Sequence, residues 1–476
     1  MPHRAQQSVP TAKRLAYAAP AFSLAVVGIP IYVYIPKFYT DVVGVHIALL
    51  GALILGVRIF DAVTDPLIGV LSDRTRSSFG RRRPFIAAGA VALAVSIYLL
   101  FNPPERPPTF ETVWFGVWIF CVFLFWTLVE VPYESLGPEI TFDYHERIAL
   151  FGWRDGALIA GTLVAAASPA MVSGLLGLSS SPADERLKFF WISLFYGPLV
   201  VAFCVWCVLS IRERGTDRLP LRPGSGNGFR RILRNRPFII LLASYTVAAF
   251  GSNLPATLIL YYVEYVLQST QADLFLALYF VTGVVFLPGW VVLAKRIGKK
   301  HAWILSMAVN TGAFTGVLFL GPGDAAVYGV LVVLSGLGFG ATVALPSAMQ
   351  ADVIDYDELI TGERREGYYV GLWSITKKLA AALGVGLSLS LLGTVGYEPN
   401  VVQSEGVVRT LRVLYAGVPS LCNIVALLIA MAYPISSRTH DEIRTAVEDR
   451  KEGRRVEDPL HPGRALPRAP EERPWT

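Results

Sequence analysis

Two aspartates, Asp61 and Asp65, stand four residues apart inside a long apolar stretch of the chain. On an α-helix this spacing places both carboxylates on one face, about one turn apart. A carboxylate at membrane depth costs roughly 2.5–3.5 kcal/mol on insertion scales, so a pair of them requires a compensating partner. A cation held between the carboxylates would compensate them, and so would a shared proton. A structural ion pair between Asp61 and Arg58 is the alternative, but it leaves Asp65 unexplained.

A second carboxylate pair, Glu130 and Glu134, repeats the four-residue spacing in another apolar stretch, close to Trp126. Further ionisable residues inside apolar stretches are Arg154, Asp155, Lys377 and Lys378. Residues of this kind are rare in membrane spans and usually mark paths for ions or substrates. We therefore predict that Glu130 and Arg154 line one substrate cavity, with a web of structural ion pairs as the alternative.

Lys377 is a further candidate for this site. A lysine near the bilayer midplane is costly unless it is paired or hydrated. We predict that Lys377 faces Asp61 or Asp65 and acts as a tethered counter-ion when no cation is bound. Lys378 lies about 100° further round the helix, so we expect it to share that role less. No histidine lies deep in an apolar stretch, so coupling is expected to run through carboxylates rather than through a histidine relay.

The composition is that of a polytopic membrane protein. Of the 476 residues, 53% are hydrophobic and only 16% are charged, whereas a soluble domain has about 25% charged residues. The net charge of +6 lies mostly in loops, where it indicates topology rather than nucleic-acid binding. The 4 cysteines lie in apolar runs and carry only a weak metal or redox signal. No nucleophile–base set or metal cluster is visible, so we expect neither enzymatic activity nor a cofactor.

Twelve apolar runs are long enough to span a bilayer, which predicts an all-α membrane protein with twelve transmembrane helices. The runs lie near 15–39, 46–72, 84–103, 111–137, 148–174, 189–211, 238–264, 273–294, 301–321, 325–350, 367–395 and 410–434. Arginine and lysine concentrate in alternate loops. The positive-inside rule therefore predicts that both termini are cytoplasmic, in a membrane of the bacterial inner type.

A long loop rich in arginine, proline and glycine divides the apolar runs into two sets of six. The predicted organisation is a cytoplasmic N-terminus at 1–13, an N-terminal half at 14–211, a cytoplasmic linker at 212–237, a C-terminal half at 238–435 and a cytoplasmic tail at 436–476. The tail is charged and rich in proline, so we predict a largely disordered segment with helix favoured only near 439–450. Two six-helix halves around a midplane site are typical of secondary transporters.

Several motifs together resemble one family. They are Phe-Asp-Ala-x-x-Asp-Pro at 60–66, Val-Pro-Tyr-x-Ser-Leu at 131–136 and Asp-Val-Ile-Asp-Tyr-Asp-Glu-Leu at 352–359, followed by Thr-Gly-Glu-Arg-Arg-Glu-Gly at 361–367. The combination resembles the glycoside–pentoside–hexuronide:cation symporters, the melibiose-permease branch of the major facilitator superfamily. The likeness covers nearly all of residues 14–435, and it implies the major facilitator fold.

The resemblance implies a cation site. Asp61 and Asp65 fall where melibiose permease holds its sodium ion, and Thr64 and Thr127 fall at the neighbouring oxygen ligands. Thr64 stands where that permease has an asparagine. The coupling cation is expected to be sodium or a proton, and two close carboxylates with adjacent hydroxyls favour sodium.

The resemblance also implies a substrate site. Glu130 falls where a sugar-binding aspartate lies, and Arg154 and Lys377 match essential basic residues of the fifth and eleventh helices. Trp126 and Glu134 complete the set of candidate substrate-binding residues. Glu134 replaces a tryptophan of that permease and adds a carboxylate to the predicted cavity.

We therefore predict cation-coupled symport of a sugar or glycoside-like solute by alternating access. The first helix departs from the family pattern, since Ala25 stands where melibiose permease has an aspartate that binds the galactoside. A lysophospholipid or other amphiphile is thus an alternative substrate, and a membrane sensor that binds without transport is a further alternative. The expected partners are a small-molecule solute and membrane lipid. The acidic segment at 352–358 and the arginine-rich inner loops are expected to hold the outward-facing state by salt bridges.

Overall fold

Long helices joined by short loops make up the chain in the computed structural model. The structure describes residues 9–141, 144–179, 181–211, 213, 232, 235–362 and 365–466. The helices are α1 (Thr11–Val43), α2 (Ile47–Arg74), α3 (Arg83–Phe101), α4 (Pro108–Ile140), α5 (Tyr144–Leu176), α6 (Pro182–Ser210), α7 (Arg236–Val266), α8 (Ala272–Ile297), α9 (Lys299–Val317), α10 (Ala325–Thr361), α11 (Glu366–Thr394), α12 (Glu405–Met431) and α13 (Ser437–Lys451). The all-helical architecture predicted from the apolar runs is confirmed.

Within the described residues, 11 helices are long and apolar enough to cross a membrane. They are α1 to α8 and α10 to α12. Helix α9 covers most of the predicted run at 301–321 and ends at Val317, but polar residues such as Lys299, Lys300 and Asn310 lower its hydropathy. It nevertheless packs against both α10 and α12. The prediction of an integral membrane protein is confirmed.

Helix packing brings the charged helices together. Among the first six helices, α1 packs against α5 and α6, and α2 and α3 both pack against α4. Among the later helices, α10 packs against α8 and α9, and α7 packs against α11 and α12. Helix α2 also packs along α11, and α5 packs against α8. The helix that carries the two aspartates therefore lies beside the helix that carries the two lysines.

Two glycines of α11 allow its close approach to α2. A Cβ added to Gly386 would lie 2.6 Å from the Cβ of Leu55, and one added to Gly393 would lie 2.6 Å from the Cβ of Ala48. Small residues at helix interfaces permit such close packing in membrane proteins. These contacts fix the rotation of α11 against α2, and so decide which side chains of α11 face the aspartates.

Helices α1 and α7 contain π-helical turns at the end of the bundle where they meet. In α1 the turns are Pro30–Tyr34 and Phe38–Val43, and in α7 the turn is Tyr262–Val266. A π-turn adds a residue to the helical turn, and such turns are frequent at functional sites. We call this end of the bundle the far end. The opposite end, which carries the start of α1 and helix α13, is the tail end.

The segment after α12 folds back onto the tail end. Helix α13 packs against α10, and the buried Arg450 donates a hydrogen bond to the carbonyl of Leu359. Asp458 is fully buried and accepts hydrogen bonds from the Tyr356 hydroxyl at 3.2 and 3.3 Å. The helix predicted near 439–450 is present. The prediction of a largely disordered tail is wrong for residues 436–466, because buried polar contacts tie this segment to α10.

The predicted linker at 212–237 lies largely outside the described residues, as do 1–8 of the predicted N-terminus and 467–476 of the tail. Glu213 is described, and its carboxylate accepts the backbone N–H groups of Arg81, Arg82 and Arg83. This carboxylate holds the arginine-rich loop between α2 and α3 close to the end of α6.

Candidate functional site

The carboxylates of Asp61 and Asp65 on α2 share a hydroxyl of α4. The Thr127 Oγ1 lies 2.6 Å from Asp61 Oδ1 and 3.0 Å from Asp65 Oδ1. Thr127 is fully buried, and Asp61 is 3% exposed. The structure therefore brings together three of the four residues predicted for the cation site.

Thr64, the fourth predicted residue, is buried on α2, but its hydroxyl is hydrogen-bonded to the backbone of its own helix. It donates a hydrogen bond of 3.1 Å to the carbonyl of Asp61. Threonine side chains in helices often bond to a preceding carbonyl in this way. The Thr64 proton is thus directed to the backbone, while the Thr127 hydroxyl faces the carboxylates.

Lys378, rather than Lys377, is the counter-ion of the aspartate pair. The Lys378 ammonium contacts Asp65 Oδ2 and lies 3.3 Å from Asp61 Oδ2. Lys377 is exposed and forms no ion pair with another described residue. The prediction that Lys377 is the counter-ion of Asp61 and Asp65 is therefore wrong, while its role as a candidate substrate-binding residue stays a prediction. The close packing of α11 against α2 turns the neighbouring position, about 100° away, toward the carboxylates.

Arg58 supplies a second positive charge to the site. Its Nη1 lies 3.6 Å from Asp61 Oδ2, too far for a hydrogen bond. The guanidinium instead stacks on two rings, 4.3 Å from the centroid of Tyr32 and 4.2 Å from that of Phe123. Its Nε is buried and has no hydrogen-bond partner among the described residues. The ion pair with Asp61, which was the alternative role for this arginine, therefore occupies only part of the hydrogen-bonding capacity of the Arg58 guanidinium.

Glu130 and Trp126, both on α4, lie beside the aspartate pair. The Trp126 indole N–H donates a hydrogen bond of 3.1 Å to Glu130 Oε2. Glu130 also lies within electrostatic reach of Lys378, Asp61 and Asp65. A predicted substrate residue and the predicted cation residues thus form one charged cluster.

Arg154 belongs to a separate group. Its Nη2 lies 2.8 Å from Asp155 Oδ1. Arg154 and the exposed Glu134 both lie within electrostatic reach of the Tyr17 hydroxyl. In the described part of the chain, no ion pair or hydrogen bond joins Arg154 to Glu130. The two residues predicted to line one cavity are therefore not in direct contact.

Tyr32 and Phe123 contribute to the site without having been singled out in the sequence. Both rings pack on Arg58, and Tyr32 lies within the π-turn that begins at Pro30. Prolines at 30 and 36 accompany the irregular turns of α1, and proline is a common cause of such irregularity. An aromatic residue in an apolar helix, however, carries no sequence signal that separates packing from function.

The far end of the bundle is closed by contacts to Asp41, which is 8% exposed. Its carboxylate accepts hydrogen bonds from the hydroxyls of Tyr265 at 2.9 Å and Tyr397 at 2.7 Å. It also forms an ion pair with Lys37 at 2.5 Å, and the Asn400 amide donates to the Asp41 carbonyl at 2.6 Å. These contacts join α1 to α7 and to the loop between α11 and α12.

Among the described residues, no group of three or more His, Cys, Asp or Glu side chains is arranged to hold a metal ion. A cation at the aspartate pair would therefore take its protein ligands from Asp61, Asp65 and the Thr127 hydroxyl. Hard cations prefer oxygen ligands of this kind.

Curated relatives match this chain over most of its length. An uncharacterized symporter of Synechocystis sp. is 27% identical over 93% of this chain and 97% of its own length. A glucuronide carrier protein homolog of Escherichia coli (strain K12) is 28% identical, covering 88% of this chain and 91% of its own. An isoprimeverose transporter of Lactiplantibacillus pentosus is 27% identical over 86% of each.

Solved transporter structures share the fold. The crystal structure of the nucleoside transporter NupG has a TM-score of 0.60 and 12% identity, covering 88% of this chain and 99% of that one. A bacterial homolog of the human lysosomal transporter Spinster has a TM-score of 0.58 and 13% identity, covering 92% and 97%. The fold is that of a membrane transporter.

A family model described as MFS/sugar transport protein matches residues 16–437. This range coincides with the segment whose motifs resemble the glycoside–pentoside–hexuronide:cation symporters. The predicted family is therefore confirmed. The expectation that the protein is a transporter and not an enzyme is confirmed with it. On its motifs, its helical fold and the length of this match, the chain belongs to the MFS/sugar transport protein family.

Proposed function

We propose that the protein is a cation-coupled symporter of a sugar or glycoside-like solute that works by alternating access. The observation that carries this proposal is the cluster in which Thr127 and Lys378 contact Asp61 and Asp65, with Glu130 within electrostatic reach. A cation site and a solute-binding carboxylate thus adjoin. The names of two relatives, a glucuronide carrier homolog and an isoprimeverose transporter, support a sugar-like solute.

Lys378 links the two binding events. When no cation is bound, its ammonium lies at short range from both carboxylates and offsets part of their charge. A sodium ion or a proton that binds Asp61 and Asp65 competes with Lys378 for the same oxygens. The released ammonium is then drawn to Glu130 and changes the charge that the solute meets. Cation and solute therefore alter each other's affinity by the same factor.

Sodium is the favoured cation in this scheme. Two close carboxylates and the Thr127 hydroxyl provide several oxygen ligands, which suits a metal cation. A proton would need only one carboxylate with a raised affinity for it. A dependence of solute binding on sodium at constant pH separates the two cations.

The proposed transport cycle uses two six-helix halves, α1 to α6 and α7 to α12, with α9 as the twelfth span. Both termini lie on the cytoplasmic side of a bacterial-type inner membrane, as the arginine-rich loops indicate. The tail end then faces the cytoplasm, and the far end, closed at Asp41, faces outward. On this assignment the structure is closed to the outside.

Uptake into proteoliposomes tests the proposal. Radiolabelled sugars and glycosides are supplied under an inward sodium gradient or an inward proton gradient. Wild-type protein is expected to accumulate one of them above equilibrium under one gradient, and Asp65→Asn is expected to abolish the accumulation. Glu442→Gln, which changes a carboxylate on α13 far from the site, should retain it. Unchanged accumulation in the Asp61→Asn/Asp65→Asn double variant would contradict the mechanism.

A second candidate substrate is an amphiphile such as a lysophospholipid. A cavity of about 730 Å³ lies between α1, α5 and α6 near the tail end, lined by apolar residues that include Leu15, Phe22, Trp153 and Trp206. An acyl chain fits such a surface better than a sugar does. Sodium-dependent accumulation of lysophosphatidylcholine, with no accumulation of any sugar, would favour this candidate.

A further inference from the structure

A second cavity, of about 240 Å³, lies near the middle of the bundle and is lined by α1, α7, α8, α9, α10 and α12. It is distinct from the charged cluster, because none of its lining residues is an aspartate, glutamate, lysine, arginine or histidine. The rings of Tyr279, Phe280, Phe314 and Tyr415 form part of its wall. Ligand sites of this type, mostly apolar with a few placed polar groups, are typical of small-molecule pockets.

Two buried amides line this cavity with hydrogen-bonding groups to spare. Asn423 is 4% exposed, and its amide forms no hydrogen bond with any described residue. Asn310 is 7% exposed and accepts a bond of 2.7 Å from the Ser335 hydroxyl, while its NH₂ group makes none with a described residue. Both amides face the cavity, so a ligand that displaces water from it must replace the hydrogen bonds that water makes with them. These positions therefore favour a ligand that can accept and donate hydrogen bonds.

Tyr32 forms the boundary between this cavity and the charged cluster. It lines the cavity, and the Arg58 guanidinium lies 4.3 Å from its ring centroid on the way to Asp61. A solute that passes Tyr32 would therefore meet charged groups at one end and a neutral aromatic pocket at the other. The volume is smaller than the roughly 300–1,000 Å³ of a complete ligand site, so the pocket suits one part of a solute.

We infer that this pocket, which we call the aglycone pocket, binds the neutral, ring-sized aglycone of a glycoside whose sugar ring occupies the charged side of Tyr32. This inference rests on the proposed function and names its substrate class. The charged cluster recognises hydroxyl or carboxylate groups of the sugar. The aromatic walls and the free amides of Asn423 and Asn310 recognise an apolar ring with one polar substituent.

Paired glycosides test the inference. The probes are methyl and 4-nitrophenyl forms of β-D-glucuronide, β-D-glucoside, β-D-xyloside and α-D-galactoside, titrated into purified protein in sodium buffer by calorimetry. For the sugar that the protein accepts, the 4-nitrophenyl form is expected to bind at least about tenfold more tightly than the methyl form. The ratio of the two dissociation constants is the quantity followed in the variants.

Two variants and one control locate the effect. Ala256 lines the cavity and is exposed to it, so Ala256→Phe should fill the pocket and bring the ratio close to one without changing the affinity for the methyl glycoside. Asn423→Leu removes only the amide and should lower the ratio severalfold. Ala170→Phe adds the same ring at an exposed position of α5 outside the cavity, and should leave the ratio unchanged. Thermal unfolding curves identify any variant that fails to fold.

The outcomes separate this inference from the proposed function. A ratio of dissociation constants near one in the wild type overturns the inference. A ratio that stays at the wild-type value in both Ala256→Phe and Asn423→Leu also overturns it. In either case sodium- or proton-driven uptake of the sugar would still support symport. If no member of any pair binds and no gradient drives uptake of a sugar, the proposed function fails and the inference fails with it.

Discussion

At the scale of single residues, one hydroxyl group lies between two carboxylates. Each carboxylate oxygen in this contact can only accept a hydrogen bond, and the hydroxyl can donate only one. The Thr127 hydroxyl lies within 3.0 Å of an oxygen of both Asp61 and Asp65, but it has only one proton to donate. The second close oxygen–oxygen contact is favourable only if a proton or a cation lies between the atoms. In the proposed mechanism this geometry favours a coupling ion at the pair, with Lys378 as the positive charge when none is bound.

The first prediction concerns the two lysines of α11. Lys378→Gln removes the closest counter-ion of the aspartate carboxylates and leaves only Arg58 beside Asp61, and breaking a buried ion pair costs about 3–5 kcal/mol. We expect a clear loss of thermal stability without sodium and a larger stabilisation by added sodium than in the wild type. Lys377→Gln, at the exposed neighbouring position, should change neither quantity. Melting temperatures across a sodium titration measure both, and equal responses of the two variants would contradict the assignment.

The second prediction separates the two threonines. Thr127→Val removes the hydroxyl that contacts both carboxylates, so cation affinity should fall by about tenfold, equivalent to roughly 1.4 kcal/mol. Thr64→Val removes only a bond to the backbone carbonyl of Asp61, and should have a much smaller effect. Sodium-dependent thermal shifts provide the measurement. A larger loss in Thr64→Val would show that Thr64 turns its hydroxyl to the ion when the ion binds.

At the scale of helices, the contact between α2 and α11 positions the site. The two helices approach closely where glycines of α11 face side chains of α2, roughly two to five turns from Lys378 and the aspartates. The rotation of α11 therefore depends on residues that carry no charge. A side chain added at this contact would push the helices apart and move Lys378 relative to its partners.

The third prediction tests that contact with two substitutions in one helix. The Cβ of Gly386→Ala would lie 2.6 Å from the Cβ of Leu55, and overpacking of this kind typically costs about 1–3 kcal/mol. Gly371→Ala places its Cβ in open space, so the gain in helix propensity of about 1 kcal/mol should keep or raise stability. Thermal unfolding of both variants checks the sign. A Gly386→Ala protein as stable as Gly371→Ala would show that the close contact does not hold α11.

At the scale of the whole molecule, Asp41 joins the far ends of α1 and α7, and in the proposed transport cycle this contact closes the far end. Its donors belong to different parts of the chain, namely Lys37 on α1, Tyr265 on α7 and Tyr397 in a loop. Burial, and then the charge of Asp41, raise the pKa of the Tyr397 phenol above its ordinary value of 10.0. The phenol therefore keeps its proton as a donor below about pH 10, and its contribution to closure is lost only above that pH.

The fourth prediction is that Asp41→Asn opens the far end. The substitution removes the ion pair with Lys37 and converts one acceptor oxygen into a donor that faces the tyrosine hydroxyls. Spin labels at His46 and Glu398, both exposed at the far end, should show a longer mean distance in this variant than in the wild type, measured by pulsed electron–electron double resonance. Asp324→Asn changes a far-end carboxylate whose hydrogen bond to a described residue lies within its own loop, so the distance should stay unchanged. Equal distances in all three proteins would remove Asp41 from the gate.

Much of the site followed from local rules alone. The spacing of Asp61 and Asp65 determined that they share a face of one helix, because helical periodicity depends only on the backbone of that helix. Composition and apolar run length determined the membrane setting, because the bilayer imposes the same requirement on every span. The motifs around 60–66 and 131–136 also sufficed to recognise the family, since they are properties of the linear chain.

Other features were decided only by the tertiary structure. Lys378 rather than Lys377 faces the aspartates, because the rotation of α11 is set by glycine contacts with α2 and not by the depth of the residue. The segment after Ser436 is ordered because Arg450 and Asp458 find buried partners on α10, although its composition favours disorder. Each of these outcomes depends on how one helix meets another, which no periodicity within a single segment can encode.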